Sequence, residues 1–479
     1  MSLPRLASRL LSTLPASALD SGAKVVLPDQ ARSGARPGVV HLGLGAFHRA
    51  HQALVYERLI AGGDPRWGVV GVAMRSTQLA DDLSAQHGLY SVQIADAGSV
   101  RWEIPGALLR TCVAARERQQ VVDAIAAPAA RWITLTVTEK GYTPDLAALI
   151  VDGLARRKEA GLPGVTVASC DNLSDNGRKL QALCLSDAAA RDPALAAWIE
   201  ALCAFPNSMV DRIVPAATQA QYDAAASALG VEDRGALSTE AFWEWVIERR
   251  MAEPSDAELL AQAGVTVVED VKPFEDAKLR MLNGSHTALA MVGAVQGWAT
   301  VADGMALPGV RRFVHAFMTH VAMPSLTRPG LPAYRDALLA RFANPHLHHR
   351  VHQIASDSSL KIPLRWGPAL RAALAAGREV EPLALACAAW MRYLRGEDEA
   401  GRAYGMSDPQ ADALQALARQ HAGDAEGTVR ALLSVASIWP AGCADDERWA
   451  PRVVHWLRRI ESAGVAAALD EVLASRSGV

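Results

Sequence analysis

Cysteine pairs, long apolar runs and an excess of charge are all missing from this sequence of 479 residues. The six cysteines show no C-x-x-C spacing, so we expect reduced, mostly buried thiols, which suits a cytoplasmic protein. No run of about 18 apolar residues occurs, so no membrane-spanning helix is predicted. The 48 basic and 51 acidic residues give a formal net charge of −3, which predicts no electrostatic attraction to nucleic acid or anionic membranes.

Several catalytic and metal-binding motifs are absent as well. No tyrosine has a lysine four positions after it, so short-chain dehydrogenase chemistry lacks an obvious carrier. No P-loop occurs, which disfavours a sugar kinase. Four histidines cluster at His346, His348, His349 and His352, but no cysteine or acidic ligand set is interleaved with them. We therefore predict no metal site.

What is present is the composition of a globular protein, with 50% hydrophobic and 21% charged residues. The length exceeds what one hydrophobic core ordinarily supports, so at least two domains are expected. The opening segment, MSLPRLASRLLSTLPASALD, has neither a sustained apolar run nor a convincing cleavage site. It predicts an amphipathic helix and not a signal peptide.

The first half of the chain alternates short β-branched segments with helical patterns, which predicts βαβ units and a mainly parallel sheet. Strands are predicted at Val39–Leu42, Trp67–Ala73, Trp132–Thr138 and Val165–Ser169. Helices between them are predicted at His51–Ala61 and Arg116–Ala126. Ligands of such sheets bind at the carboxyl ends of the strands.

After about residue 272 the pattern becomes helical, and no convincing strand is predicted. Several of the helical segments have proline near their start, where its missing N–H is tolerated. The predicted helices are Leu279–Val295, Pro308–His320, Arg335–Ala343, Pro368–Ala376, Pro382–Arg395, Pro409–His421, Thr428–Val435 and Pro451–Ala474.

A glycine-rich turn follows the first predicted strand and precedes a helical pattern. Gly43 and Gly45 form a G-x-G pair, whereas His48 takes the place of the third glycine of G-x-G-x-x-G. Such a turn lets backbone approach a pyrophosphate at a helix N-terminus; the alternative is a tight turn without a ligand. No acidic residue ends the second strand, and Arg75 there is open to three roles: 2′-phosphate contact, adenine stacking or a solvated charge. The choice between NAD and NADP stays open.

Residues that suit proton transfer lie in the segment DVKPFEDAKLRMLNGSH. Lys278, Asn283 and His286 form the pattern K-x4-N-x2-H and fit one wide face of a helix, over about 12 Å. A lysine whose pKa is lowered by burial or cationic neighbours can take a proton from an alcohol, and amide and imidazole groups can hydrogen-bond the reacting oxygen. The alternative is a surface lysine, a capping asparagine and a core histidine.

Two further segments add polar groups. Asn172 follows the predicted strand that ends at Ser169, so its amide should lie at a carboxyl end. The segment FPNSMVDR offers Asp211 as a partner for a lysine or histidine. A plain turn and a surface ion pair are the respective alternatives.

Taken together, these segments resemble the polyol-specific long-chain dehydrogenases, the mannitol 2-dehydrogenase family, which includes arabinitol dehydrogenase and the fructuronate and tagaturonate reductases. The resemblance covers about residues 37 to 470. It rests on GLGAFHRAHQ, ITLTVTEKGYT, SCDNLSDNG, FPNSMVDRI, KPFEDAKLRMLNGSH and QIASDSSLKIPLR. It implies an N-terminal Rossmann-type NAD-binding domain, residues 1–275, and an α-helical catalytic domain, residues 276–479, with the active site in the cleft between them.

The resemblance also implies roles for single residues, without a metal. Lys278 would be the general acid/base, and Asn172 and Asn283 would polarise the reacting oxygen. His286 and Asp211 would bind or orient the substrate, and Glu275 would guide protons near the lysine. The residues implied to meet the dinucleotide are Gly43, Gly45 and Phe47.

One segment departs from the family pattern. Many relatives read DGSQK where this chain reads Asp357-Ser358-Ser359-Leu360-Lys361. Lys361 and Arg365 are candidates for holding a substrate hydroxyl or carboxylate; exposed loop charges are the alternative.

The leading hypothesis is NAD-dependent interconversion of a mannitol-like polyol and a ketose, with NADP also possible. The close alternative is reduction of a keto-uronate such as fructuronate, and a non-enzymatic alternative is a protein that senses dinucleotide or sugar. The sequence is compatible with a monomer or a small homo-oligomer.

Overall fold

The computed structural model describes residues 3–14, 24–26, 28, 33–96, 98–345, 349–378 and 380–474. The chain divides into two compact units, Met1–Val271 and Lys272–Val479. The sequence-based boundary, between residues 275 and 276, falls inside the first helix of the second unit. All six cysteines are buried and form no disulfide, as the sequence predicts.

The first unit contains strands and helices in alternation. Its strands are β1 (Lys24–Val26), β2 (Pro37–Leu42), β3 (Gly68–Ala73), β4 (Val92–Ala95), β5 (Val100–Glu103), β6 (Leu108–Val113), β7 (Trp132–Leu135), β8 (Thr166–Ser169), β9 (Ser208–Asp211), β10 (Leu237–Glu240), β11 (Glu244–Glu248) and β12 (Thr266–Val268). Its helices are α1 (Ala46–Ala50), α2 (Gln52–Ala61), α3 (Gln78–Ala85), α4 (Ala114–Ala126), α5 (Pro144–Glu159), α6 (Asn176–Arg191), α7 (Pro193–Leu202), α8 (Gln219–Leu229) and α9 (Asp256–Gln262).

The central sheet of this unit has five strands in the order β6-β3-β2-β7-β8, all parallel. The chain builds outward from β2 to β3 and β6, then crosses back to add β7 and β8 on the other side. This is the strand order of a dinucleotide-binding Rossmann fold, and the direction reverses at β2 and β7. The predicted fold class is confirmed.

Consecutive residues of the central strands face two different cores. Val69 packs in one cluster, and Val70 and Val72 pack in the other. Strands buried on both faces read as continuous apolar runs, as β3 does. This explains why the inner strands were predictable from sequence.

The prediction was incomplete at the sheet edge and in two smaller sheets, β1-β5-β4-β10 and β12-β11-β9. The edge strand β6 was not predicted, because Arg110 and Thr111 interrupt its apolar pattern. The predicted strand Trp132–Thr138 was too long, since β7 ends at Leu135. Within the predicted N-terminal helix, residues Ser8–Thr13 form a 3-10 helix, and residues 15–20 lie outside the described part.

The second unit is helical, and its described residues contain no strand, only isolated bridges. Its helices are α10 (Lys272–Ala277), α11 (Gly284–Gln296), α12 (Val301–Met305), α13 (Pro308–Ala316), α14 (Leu331–Phe342), α15 (Val351–Ala355), α16 (Ser358–Arg365), α17 (Gly367–Ala375), α18 (Glu381–Tyr393), α19 (Ala411–Gln420), α20 (Ala425–Leu433) and α21 (Ala450–Ala474). Among the described helices, none is long and apolar enough to cross a membrane.

The predicted helix Leu279–Val295 is not a uniform α-helix. Residues Lys278–Asn283 form a π-helical turn between α10 and α11. The correction matters for the candidate site, because a π turn adds one residue per turn and changes which side chains share a face.

Candidate active site

The glycine turn lies at the carboxyl end of β2, where the strand order reverses. Gly43 has a φ of +104°, a conformation that L side chains rarely adopt. A Cβ on Gly43 would lie 2.9 Å from the Thr136 carbonyl oxygen, so no side chain fits there. A Cβ on Gly45 would meet only the Gly43 carbonyl oxygen, at 3.6 Å, which leaves open space at the first residue of the turn into α1. This cradle fits the pyrophosphate of a dinucleotide.

His48 takes over the packing role of the missing third glycine. That glycine normally allows a helix to approach the strand closely. Here the rings of His48 and His41 stack at 3.4 Å between centroids, with 13° between their planes. Flat ring contact therefore replaces backbone contact between α1 and β2. Phe47, predicted to meet the dinucleotide, is half-buried and stacks on His51 at 4.9 Å.

Arg75 is exposed and lies just after the carboxyl end of β3, on the same side of the sheet as the glycine turn. In Rossmann folds, an acidic residue near this point holds the ribose hydroxyls of NAD, and a cation accommodates the 2′-phosphate of NADP. Arg75 therefore lies at a position that recognises the ribose in other Rossmann folds.

Asn172 is exposed just beyond the carboxyl end of β8. Its neighbour Asp171 accepts hydrogen bonds from Tyr142 at 2.6 Å and from Ser169 at 2.8 Å. Burial, with Asp171 second, raises the pKa of the Tyr142 phenol, so it stays protonated and donates. The sequence analysis did not identify Tyr142 or Asp171 as supports of this segment, although Tyr142 lies in ITLTVTEKGYT, one of the segments that carry the family resemblance.

Asn176 was also missed, and it joins the segment of Asn172 to β9. Its side chain is fully buried. The amide nitrogen donates to the Ser208 carbonyl at 2.9 Å, and the amide oxygen accepts from the Ser208 N–H at 3.0 Å. Asp211, the predicted substrate ligand, is the last residue of β9 and is buried. A single buried asparagine at the start of α6 gives no signal in sequence, since its partner is 32 residues away.

Lys278 and Asn283 are the first and last residues of the π turn. In a π turn the backbone bond runs from residue i to residue i+5, so these two residues stand one above the other, as i and i+4 do in an α-helix. An ideal α-helix would separate them by about 140° around its axis. Both side chains are half-buried, as is that of Glu275 on α10. The π turn thus brings the predicted acid/base and the predicted amide to one face.

His286 follows on α11 and contacts a second histidine. The His286 Nε2 lies 3.1 Å from Nδ1 of His349, and the His286 ring stacks on Phe342 at 4.8 Å. Burial, and then the nearby His349, lower the pKa of His286 well below its usual range. Burial also lowers the pKa of His349 to about 4. Both imidazoles are therefore neutral near pH 7.

Arg365 contacts the same helix from α16. Its Nη1 donates to the Asn283 carbonyl at 3.2 Å and to the Thr287 hydroxyl at 2.8 Å. Desolvation lowers its pKa to about 10. Within the described part of the chain, Arg365 forms no ion pair.

Lys361 lies one turn earlier on α16 and binds backbone. Its ammonium donates to the carbonyls of Ile354, at 3.2 Å, and Ser356, at 2.5 Å, at the end of α15. Burial lowers its pKa. Ser358 stands where the family's DGSQK has glycine, and its hydroxyl joins two neighbouring segments. The hydroxyl donates to Asp408 at 2.9 Å and accepts from the Trp390 indole at 3.1 Å.

Comparison with known proteins settles the family. The mannitol dehydrogenase Rossmann domain matches residues 37–259, and the mannitol dehydrogenase C-terminal domain matches residues 270–461. The chain belongs to the mannitol dehydrogenase family. It is an NAD(P)-dependent dehydrogenase that acts on CH–OH groups, and not the sensor left open by the sequence.

Three similar proteins illustrate the match: one enzyme compared by sequence and two solved structures. The D-mannonate oxidoreductase of Escherichia coli (strain K12) is 38% identical over 460 residues, which are 89% of this chain and 93% of that protein. The ternary complex of Pseudomonas fluorescens mannitol 2-dehydrogenase with NAD and D-mannitol is 30% identical, with a TM-score of 0.77, and covers 98% of this chain and 99% of its own. A substrate-free D-sorbitol dehydrogenase is 31% identical, with a TM-score of 0.88 and coverage of 97% and 100%.

For this mannitol dehydrogenase family member, the described residues contain no group of three or more histidine, cysteine or acidic side chains that could hold a metal ion. Two of the clustered histidines, His346 and His348, lie outside the described residues. The third, His349, contacts His286. The predicted residues fall in both units: the glycine turn, Phe47, Arg75, Asn172 and Asp211 in the first, and the remainder in the second.

Proposed function

We propose that this chain interconverts a secondary alcohol and a ketone on a small polyol or sugar acid, with Lys278 as the general acid/base. The observation that carries the proposal is the π turn that stacks Lys278 over Asn283 and leads directly to His286. Three groups able to donate or accept hydrogen bonds, one of them a titratable amine, thereby share one stretch of helix.

The proposed roles follow from the chemistry of each group. Bound NAD(P) supplies or accepts the hydride. In alcohol oxidation the neutral amine of Lys278 takes the hydroxyl proton, and in ketone reduction its ammonium gives the proton back. Asn172 and Asn283 donate amide hydrogen bonds to the reacting oxygen as it gains negative charge. Glu275, on the preceding turn, exchanges protons with the lysine.

His286 and Asp211 are proposed to orient the substrate hydroxyls. Because its pKa is held low, His286 acts as a neutral hydrogen-bonding group and not as a cation. Asp211, buried at the end of β9, can accept from hydroxyls. The glycines 43 and 45 and Phe47 are proposed to meet the dinucleotide.

Two substrate classes are open. A mannitol-like polyol is the first, since mannitol and sorbitol are named for similar structures. A six-carbon sugar acid, oxidised to or formed from a keto-uronate, is favoured by a specific observation. Arg365 is largely desolvated and has no carboxylate partner among the described residues, and Lys361 and Arg341 add positive charge around His286. A substrate carboxylate would supply the missing anion.

Initial rates with mannitol, arabinitol and mannonate, each with NAD and NADP, test this function. Turnover of mannonate well above that of the two polyols selects the sugar acid, and the reverse order selects the polyol. No turnover of any of the three would reject the substrate proposal. A cytoplasmic location, a monomeric or small oligomeric state and the lack of a nucleic-acid partner stay predictions; the six buried, unpaired cysteines support the first.

A further inference from the structure

A buried histidine lies beneath the glycine turn. His41, on β2, is fully buried, with its Nδ1 2.8 Å from the Thr134 hydroxyl and its Nε2 2.9 Å from the Thr136 hydroxyl. The Thr136 hydroxyl in turn donates to the Gly43 carbonyl at 2.8 Å. We call Thr134, His41 and Thr136 the imidazole bridge. It runs from the adjacent strand β7 to the first glycine of the turn.

The direction of each hydrogen bond in the imidazole bridge is determined. The Gly43 carbonyl can only accept, and the single hydroxyl proton of Thr136 is donated to it. The Nε2–H of His41 therefore faces two acceptors, the Thr136 hydroxyl oxygen at 2.9 Å and the Gly43 carbonyl oxygen at 3.3 Å. Burial lowers the pKa of His41 to about 3, so the ring is neutral and its Nδ1 carries no proton. That nitrogen accepts from the Thr134 hydroxyl, and every member has its partner.

The peptide held by this bridge joins Gly43 to Leu44. Its carbonyl is held by Thr136, and its N–H donates to the Val72 carbonyl at 2.9 Å. Because a peptide unit is planar, two bonds on opposite sides fix its orientation. Gly43 needs this restraint, since glycine at a φ of +104° has many other conformations available.

Nucleotide binding depends on the conformation of this turn. The backbone of such a turn approaches the pyrophosphate, and the space beside the Cα of Gly45 is open. If the turn sampled other conformations, the apparent dissociation constant would rise as the inverse of the fraction of molecules that stay binding-competent. A turn that is already held in the binding conformation therefore binds the dinucleotide with higher affinity.

We propose that His41 and Thr136 are positioning residues for the dinucleotide, which hold the Gly43–Leu44 peptide in its binding-competent orientation. Neither residue needs to touch the nucleotide for this role. The role concerns binding and not proton transfer, so it stands apart from the proposed function of Lys278.

The test is the dissociation constant of NADH, measured by fluorescence on the full chain without substrate, alongside thermal unfolding. Thr136→Val removes the hydroxyl at nearly constant volume, and we expect the dissociation constant to rise about tenfold. Thr136→Ser, which keeps the hydroxyl, should stay within about twofold of wild type. The matched control is Thr428→Val in the second unit, a buried threonine whose hydroxyl likewise donates to a main-chain carbonyl, that of His421, at 3.0 Å. It should lower stability and leave NADH affinity unchanged.

A double variant tests whether His41 and Thr136 act together. His41→Phe keeps an aromatic ring against His48 and removes both ring nitrogens. If both residues act through one peptide, adding Thr136→Val to His41→Phe should raise the dissociation constant little further. The proposal is overturned if Thr136→Val binds NADH as wild type does, if Thr428→Val weakens binding equally, or if the two effects multiply. Should His41→Phe fail to fold, Thr136→Val alone decides.

Discussion

The guanidinium of Arg365 donates a 3.2 Å hydrogen bond to the main-chain carbonyl of Asn283. The indole of the next residue, Trp366, donates at 3.0 Å to the carbonyl of Gly284. Two adjacent side chains thus hold two consecutive carbonyls where the π turn passes into α11. The change from i+5 to i+4 backbone bonding disturbs carbonyl pairing there, and side-chain donors stabilise it. Arg365 therefore supports the residue proposed to polarise the substrate.

Replacing Arg365 should separate this support from substrate binding. We expect Arg365→Met to lower kcat about tenfold with polyol and aldonate alike, because a charge-assisted hydrogen bond to Asn283 is lost. If Arg365 also receives a substrate carboxylate, KM should rise for the aldonate alone. Thr287→Val, which removes the hydroxyl between the two residues, should lower kcat in the same direction.

Steady-state kinetics with both substrates measure these effects. Arg371→Met, which changes an exposed arginine on α17, is the control and should keep wild-type constants. Unchanged kcat and KM for both substrates in Arg365→Met would contradict both roles of Arg365.

Arg75 is expected to favour NADP over NAD by its charge. Arg75→Asp should weaken NADPH binding about fivefold relative to NADH, as expected for the loss of an exposed ion pair. Fluorescence titration of both reduced dinucleotides measures the ratio. Arg110→Asp, an exposed arginine within β6, serves as the control and should leave the ratio unchanged. If Arg75→Asp alters both affinities by the same factor, Arg75 does not read the 2′-position.

Acid should destabilise the first unit through its buried histidines. Burial lowers the pKa of His41 to about 3 and that of His48 well below its usual range. The unfolded chain binds protons near pH 6.5, so the stability that comes from neutral histidines is complete above that pH and is lost as pH falls toward the folded-state values.

Unfolding curves between pH 7 and pH 4 measure this loss, which should approach about 1.4 kcal/mol per pH unit for each histidine once the pH is below about 6. His48→Phe keeps a ring stacked on His41 and removes one titrating group. The free energy of unfolding of this variant should therefore fall less steeply as the pH is lowered. The difference in slope should correspond to about one proton fewer taken up on unfolding. A slope equal to that of wild type would show that His48 does not titrate on unfolding.

The sequence predicted the parts of the fold that follow from local patterns. The strands β2, β3 and β8 were found because they are buried on both faces and carry short runs rich in apolar residues. The glycine turn was found because glycines between a strand and a helix are conspicuous. The edge strand β6, with polar residues at its centre, carries no such pattern.

The finer features of the site depend on contacts that no local pattern reveals. Hydrophobic periodicity predicted a helix from Leu279 but could not show the extra residue of the π turn. The stack of His48 on His41 replaces a glycine by pairing two elements, and Asn176 joins segments far apart in the chain. Each needs the tertiary structure, because one partner alone looks like an ordinary buried polar residue.

The central claim is that Lys278 is the general acid/base, and the kinetics of Lys278→Ala test it most directly. The account predicts that kcat falls by about 10²- to 10⁴-fold, that the NADH dissociation constant stays within about twofold of wild type, and that added methylamine restores part of the rate. Lys272→Ala, which removes an exposed lysine paired with Asp276, should keep full turnover. Undiminished turnover by Lys278→Ala would contradict the account, and a loss confined to NADH binding would contradict it equally.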